Sequence, residues 1–404
     1  MSLAALPYHV RVRDHFKQQT KTWNFFAAGK TKDEQLQQFK TELLKNTYKF
    51  DETADRFIYD KVNIIKEKLD LQELPVTVYQ AQFTDELNAS IVFINNEAHI
   101  VFSGRITQLM DDEELLAILA HELTHIKLYS LLTGDLEIAD RIITAIANNY
   151  NSDAAYYETA RLFKLYTEIF CDRGAYLVTG KTAPVITSLV KAATGLDKVN
   201  ADSYIKQANE VFATDNATKA ASLSHPENFI RARAIQLWHD KQETAEDEII
   251  KMIEGVTNID QLNIFKQKEL ADFTKEFLQL YLKPKWFRST IVTNLAKQYF
   301  ADFSWKEDAL LLPAFIDKIN NAHDSIKNYL SYVLLDFALA DVSLEEIPQG
   351  WAFRFAEDTR LKETYEAAIK KELHLSDKKL QQLKQKTLAA YYEVKENEAE
   401  QIYE

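Results

Sequence analysis

The sequence is short of what disulfide-stapled, turn-rich or nucleic-acid-binding proteins are built from. Its single cysteine, Cys171, cannot close an internal disulfide, so nothing in it requires an oxidising compartment. Only 8 Gly and 7 Pro punctuate 404 residues, which excludes a Gly-rich phosphate loop and an all-β sandwich of tight turns. Positive charge is also in deficit. With 48 Lys+Arg against 61 Asp+Glu the net charge is −13, and a general nucleic-acid binder is not expected. Long apolar runs are missing as well. No window approaches about 18 uninterrupted apolar residues, and Tyr329 to Val342 is broken by Asp336 and Asp341, so no membrane span is expected. The opening MSLAALPYHVRVRDHF has too short an apolar stretch for a signal-peptide core, which points to a soluble, cytoplasmic chain.

What is present is core material. A chain 46% hydrophobic and 12% aromatic can offset the entropy of folding, which excludes disorder as its main state and allows two or three domains. Residues 31 to about 73 carry helical periodicity, so 1–74 reads as an N-terminal helical segment. Pro75 breaks that pattern, and VTVYQA after it reads as a strand. The two apolar runs of LNASIVFINNEAHIVFSG, split at Asn95, Asn96 and Glu97, read as a hairpin or bent strand pair. Residues 111 to 134 read as a helix, with Asp111 as N-cap, Glu114 as its capping-box partner and Gly134 as C-cap. A second helix is expected from near Asp153 to Val178, with Gly180 just beyond. From about residue 245 onward only helical patterns remain, broken at Pro284, Pro313 and Pro348.

The chemistry is concentrated in His121-Glu122-Leu123-Thr124-His125. Four residues apart on a helix, His121 and His125 share a face and can hold one metal ion, while Glu122 reaches the same side to act as general base towards water. The apolar flanks LLAILA and IKL bury this helix, where two histidines and a glutamate with no cation between them are costly. Two histidines leave tetrahedral zinc short of a protein ligand. LYTEIFCDRGAYL supplies Glu168 as a third ligand, with Asp172 on the same face to accept the N–H of a ligating histidine. Cys171 projects away from that face and reads as a small buried residue.

HELTH, a Glu-x3-Asp pair 43 residues further on, and then SHPENFIR make residues 75–240 resemble the M48 family of gluzincin metallopeptidases. The resemblance implies an α+β, mostly α fold: a zincin-like core with a small mixed β-sheet, followed here by an all-helical region over 245–404. It implies one Zn2+ per chain, a zinc-dependent metalloendopeptidase activity with Glu122 as base, and a peptide or unfolded-protein substrate. His225 would stabilise the oxyanion, and Arg231 would pair with Asp172. Asn88-Ala89 resembles the family's edge-strand signature. Substrate is expected to add along residues 98 to 103, so that Asn88, Ala89, His99 and Val101 would contact it. The C-terminal helices could engage a protein partner. The competing reading is a helical interaction or scaffold protein with a mainly structural zinc site. Against it stands Glu122, because a structural site needs no base.

Overall fold

The computed structural model describes residues 3–28, 33–94, 96–215 and 218–398. They form two compact units, 1–255 and 256–404. The first unit opens with helices α1 (Pro7–Lys17), α2 (Thr20–Ala27) and α3 (Asp33–Asn46), strand β1 (Thr47–Lys49) and helix α4 (Arg56–Lys68). Strands β2 (Val76–Ala81), β3 (Asn88–Ile94) and β4 (Glu97–Ser103) follow, then the short helix α5 (Ile106–Leu109). Helices α6 (Asp112–Ser130), α7 (Asp135–Ala147), α8 (Ala154–Thr179), α9 (Thr182–Thr194), α10 (Ala201–Thr214), α11 (Asn228–Lys241) and α12 (Glu246–Glu254) complete it. Helices therefore dominate, with a small mixed sheet, as expected.

Two expected boundaries move. Residues 1–74 are not a separate segment: α1 packs on α7 and α8, α4 packs on α6, and β1 joins the sheet. The first unit also continues past residue 240, because α12 packs against α8 and α11.

The sheet order is β1-β2-β4-β3, with β2 and β4 parallel and both outer pairs antiparallel. The chain leaves β2, crosses to the edge as β3, and turns back at left-handed Asn96 to lay β4 between them. Asn95, expected in the same turn, lies outside the described residues. Ala98, Ile100 and Phe102 of β4 are fully buried, whereas β3 alternates and leaves Val92 and Phe93 exposed.

Helix α6 starts as its sequence dictates. Asp111 Oδ1 accepts the amides of Glu113 (3.0 Å) and Glu114 (2.9 Å), and Glu114 Oε2 accepts the Asp111 amide (2.9 Å). Its end comes early, at Ser130. Leu132 and Thr133 are both left-handed, and Gly134 (φ 87°) leads into α7 instead of capping α6. The stretch Asp112–Ala147 is long and apolar enough by composition to cross a bilayer. Its helical run is nonetheless broken at Leu132, and α6 is a core helix packed on α4, α8 and α9. The approach of α8 to α6 is tight at Gly174, where a Cβ would lie 2.1 Å from Thr124 Oγ1. A hydrogen in place of a side chain here lets the two helices bring their polar groups together.

A buried histidine ties α1 to α8. His9 sits against the rings of Phe163 and Phe170, with Nε2 3.2 Å from Thr167 Oγ1, and burial lowers its pKa from 6.5 to about 3. The unfolded chain therefore takes up a proton that the folded chain refuses between those two values. Stability from neutral His9 is complete above about pH 6.5. It is lost as pH falls towards 3, at about 1.4 kcal/mol per pH unit. Urea denaturation of wild type and His9→Phe at pH 7 and pH 4.5 should show a smaller acid loss in the variant; equal losses would contradict this.

The second unit contains α13 (Ile264–Tyr281), α14 (Thr290–Tyr299), α15 (Pro313–Asn320), α16 (Asp324–Leu339), α17 (Ile347–Asp358), α18 (Lys362–Glu372) and α19 (Asp377–Glu398). Its core is aromatic, built on Phe277, Tyr281, Phe337, Trp351, Phe355, Tyr365 and Tyr391. Trp351 donates Nε1–H to the Tyr281 carbonyl (2.8 Å), and the Tyr281 hydroxyl donates to the Pro348 carbonyl (3.1 Å), so the buried polar atoms of these two side chains are satisfied. The buried Tyr365 hydroxyl, by contrast, has no hydrogen bond among the described residues.

Candidate metal centre

His121, Glu122 and His125 come from α6, Glu168 and Asp172 from α8, and Arg231 from α11. His225 lies in the loop before α11. The one-turn spacings on the first two helices do what the sequence pattern requires, and Gly174 allows the faces to meet.

Glu168 is the hub. Its Oε2 lies 3.3 Å from His121 Nε2, and its Oε1 lies 3.7 Å from His125 Nε2 and 3.6 Å from His225 Nε2. Donors around a tetrahedral cation bound at about 2.0–2.1 Å are spaced by roughly 3.3 Å, close to the distances from Glu168 to the two histidines. Glu168 Oε2 is also buried without a well-directed hydrogen bond, despite its closeness to His121 and to Arg231 Nη2 at 3.5 Å. A buried carboxylate with one oxygen facing His121 without a hydrogen bond of its own, and the other facing His125 and His225, fits a cation.

Behind this set, Asp172 Oδ1 lies 3.0 Å from His121 Nδ1. An ionised carboxylate only accepts, so that contact places the proton on Nδ1 and leaves Nε2 facing Glu168. Arg231 donates to the same carboxylate twice, Nε to Oδ2 (2.8 Å) and Nη2 to Oδ1 (2.7 Å). Asp172 is held below its ordinary pKa, because Arg231 and His121 outweigh the burial that would raise it. Glu168 is likewise held well below the carboxylate range: burial opposes ionisation, but His121 and Arg231 prevail.

Burial lowers the His125 pKa to about 4, keeping the ring neutral and able to ligate. For His121 burial also pulls downward, yet the carboxylates of Asp172 and Glu168 raise it to about 10. Without a cation, a proton is thus held where a cation would otherwise satisfy Glu168. Glu122 behaves differently from its neighbours. Burial raises its pKa to about 7, only partly countered by His121, which gives the affinity for a proton expected of a base working near neutrality.

Cys171 is nearer than helical spacing implied. It is fully buried, and its sulfur lies with donor nitrogens of His121 and His125 in a group spanning at most 4.8 Å. Burial raises its thiol well above the ordinary range, so on its own it remains protonated.

Asn88 and Ala89 begin β3 and line recesses on both sides of the histidines together with His121 and Glu122. The expected substrate strand is corrected. Residues 98 to 103 form β4, whose two edges are already taken by β2 and β3, so it has no free edge to offer. His99 is buried, with Nδ1 3.3 Å from the Tyr79 hydroxyl and Nε2 3.7 Å from Glu97, and lines neither recess; Val101 pairs with Tyr79 and Ser90 and is equally remote. The exposed edge is β3. Sequence reasoning also missed the wall that α9 supplies. Val185, Ser188, Leu189 and Ala192 line the recess beside Glu122, yet in sequence they look like any apolar helix face.

Two histidines one turn apart, with a carboxylate and a thiol from a second helix beside them and a strand edge nearby, are an arrangement suited to a metal-dependent hydrolase. The comparison with known sequences narrows it. Residues 55–239 match peptidase family M48, a range that adds α4 to the stretch delimited by motifs. A relative from Arabidopsis thaliana, plastoglobule-localized metallopeptidase 48, chloroplastic, is 29% identical over 156 residues, covering 34% of this chain and 44% of that protein. The chain thus matches under half of that relative's length. No solved structure matches. The domain over residues 55–239 belongs to the M48 family of metallopeptidases.

Proposed function

We propose that this chain is a zinc-dependent endopeptidase acting on peptides or unfolded protein segments in the cytoplasm. The observation that carries the reading is Glu122, a buried carboxylate of raised pKa flanked by the two histidines and facing the recesses beside an exposed strand edge. His121, His125 and Glu168 would hold the ion. Glu168 is preferred to Cys171 because it is held ionised, lies between both histidines and has an unpartnered oxygen. When bound, the ion supplies Lewis acidity towards a peptide carbonyl and towards water. Glu122 accepts the proton of the attacking water on its carboxylate and hands it to the leaving amine. His225, whose Nε2 lies 3.6 Å from Glu168, would donate to the developing oxyanion, and Asp172 with Arg231 would fix the ring of His121. Metal titration tests the ligand set. Glu168→Ala should weaken zinc binding at least about hundredfold, and Cys171→Ala should leave it within a few-fold. The reverse outcome would move the third ligand to Cys171.

Substrate would add to the outer edge of β3. Antiparallel pairing is the more stable mode, and it carries the chain after the scissile bond towards Asn88. There it meets a recess of about 320 Å³ with Ile106, Ala117, Ile118, Val185, Leu189 and Ala192 in its wall. Peptides with Leu or Phe directly after the scissile bond should be cleaved at least about tenfold faster than those with Asp or Lys. Mass spectrometry of a peptide mixture reads this out, and a charged preference there would contradict the strand direction. The C-terminal helical unit would recruit a protein partner or substrate.

A further inference from the structure

We propose that Arg161 and Glu227 are positioning residues for His225, and through it for the reaction assigned to this site; the inference rests on that assignment. The His225 side chain is 62% exposed, so packing does not fix it. Among the described residues its Nδ1 meets the hydroxyl of the adjacent Ser224 (2.9 Å), while Nε2 must be kept 3.6 Å from Glu168. The direction of the ring is therefore set by the backbone that leads into it.

That backbone is pinned from both sides. Arg161 of α8 pairs with Glu158 through Nε (2.7 Å) and Nη2 (2.8 Å), and turns Nη1 onto the carbonyls of Ala220 (3.2 Å) and Ser222 (3.0 Å). Glu227 Oε1 accepts the amides of Ala221 and Ser222, both at 3.1 Å. The Ala220 amide donates to the Met252 carbonyl (2.8 Å), and Pro226, buried directly after His225, restricts the backbone of His225 itself. Charged groups thus clamp successive carbonyls and amides just upstream of a ring that is itself mostly exposed. Because α8 also carries Glu168, the clamp ties His225 to the helix that holds its neighbour in the site. A misplacement of about 1 Å in such a group can lower a rate by two orders of magnitude.

Lysine at position 161 keeps the charge beside Glu158 but lacks the planar fork that reaches both partners. Arg161→Lys should keep its melting midpoint, lower kcat about tenfold with little change in KM, and speed deuterium exchange at the amides of Ala221 and Ser222. Glu227→Gln retains an acceptor oxygen and should behave as wild type, whereas Glu227→Ala should match Arg161→Lys. In a His225→Ala background, Arg161→Lys should cost nothing further. Losses that multiply in the double variant, or unchanged exchange in Arg161→Lys, overturn the proposal while leaving the peptidase reading intact. Absence of cleavage by wild-type protein overturns the peptidase reading, and the catalytic half of this proposal with it.

Discussion

Glu122→Gln lowers kcat/KM by about a thousandfold while zinc stays bound. The expectation follows from what glutamine keeps and what it loses. It keeps the size of the side chain and one acceptor oxygen, so packing on α6 is preserved. It loses the ability to take a proton, which in Glu122 is raised to about pH 7 by burial. Positioned acid–base groups are worth about 10²–10⁴ in rate, so the loss should lie in kcat and not in KM. Glu122 is outside the set that would hold the ion, and metal content should not change. Removing a buried anion should not destabilise the fold either. Activity within about tenfold of wild type at equal zinc would show that another group moves the proton.

Arg231→Met should be the most damaging change to stability. Asp172 is 2% exposed, and the guanidinium that donates to both its oxygens is, with His121, what keeps it ionised; Glu168 stands 3.5 Å from the same guanidinium. Removing one partner of a buried ion pair leaves an uncompensated charge and costs about 3–5 kcal/mol. For a unit of this size the unfolding midpoint should fall by roughly 10 °C. Asp172→Asn in the Arg231→Met background removes the stranded charge and should recover part of the loss. A single variant as stable as wild type would mean that Asp172 is solvated or protonated, and that the chain of contacts from Arg231 to His121 is not a buried network.

The two helices that carry the site were legible because their signals are local. The spacing of His121 with His125, and of Glu168 with Asp172, follows from 3.6 residues per turn. The Asp111–Glu114 box lies within one turn and forms as written. Strand order is not local. The sequence suggests residues 98 to 103 as the substrate edge, but NASIVFI and EAHIVFS carry equally apolar runs, and only the pairing of β4 with both β2 and β3 makes it the interior strand. The end of α6 was misplaced because Gly134 serves the next helix, and nothing in the composition foretells left-handed Leu132 and Thr133. By its angle around α8 alone, Cys171 projects away from the face of Glu168 and Asp172. The close approach at Gly174, a tertiary event, brings it within reach of both histidines.

The most direct test of the account is to strip the metal and restore one equivalent of zinc, following helix content and cleavage of an unfolded-peptide mixture together. The account predicts that helix content persists without metal, that cleavage disappears, and that both metal and cleavage return together. Cleavage that survives complete metal removal would contradict it. So would a stripped protein that melts and, once refolded with zinc, still cleaves nothing, because the site would then be a structural one.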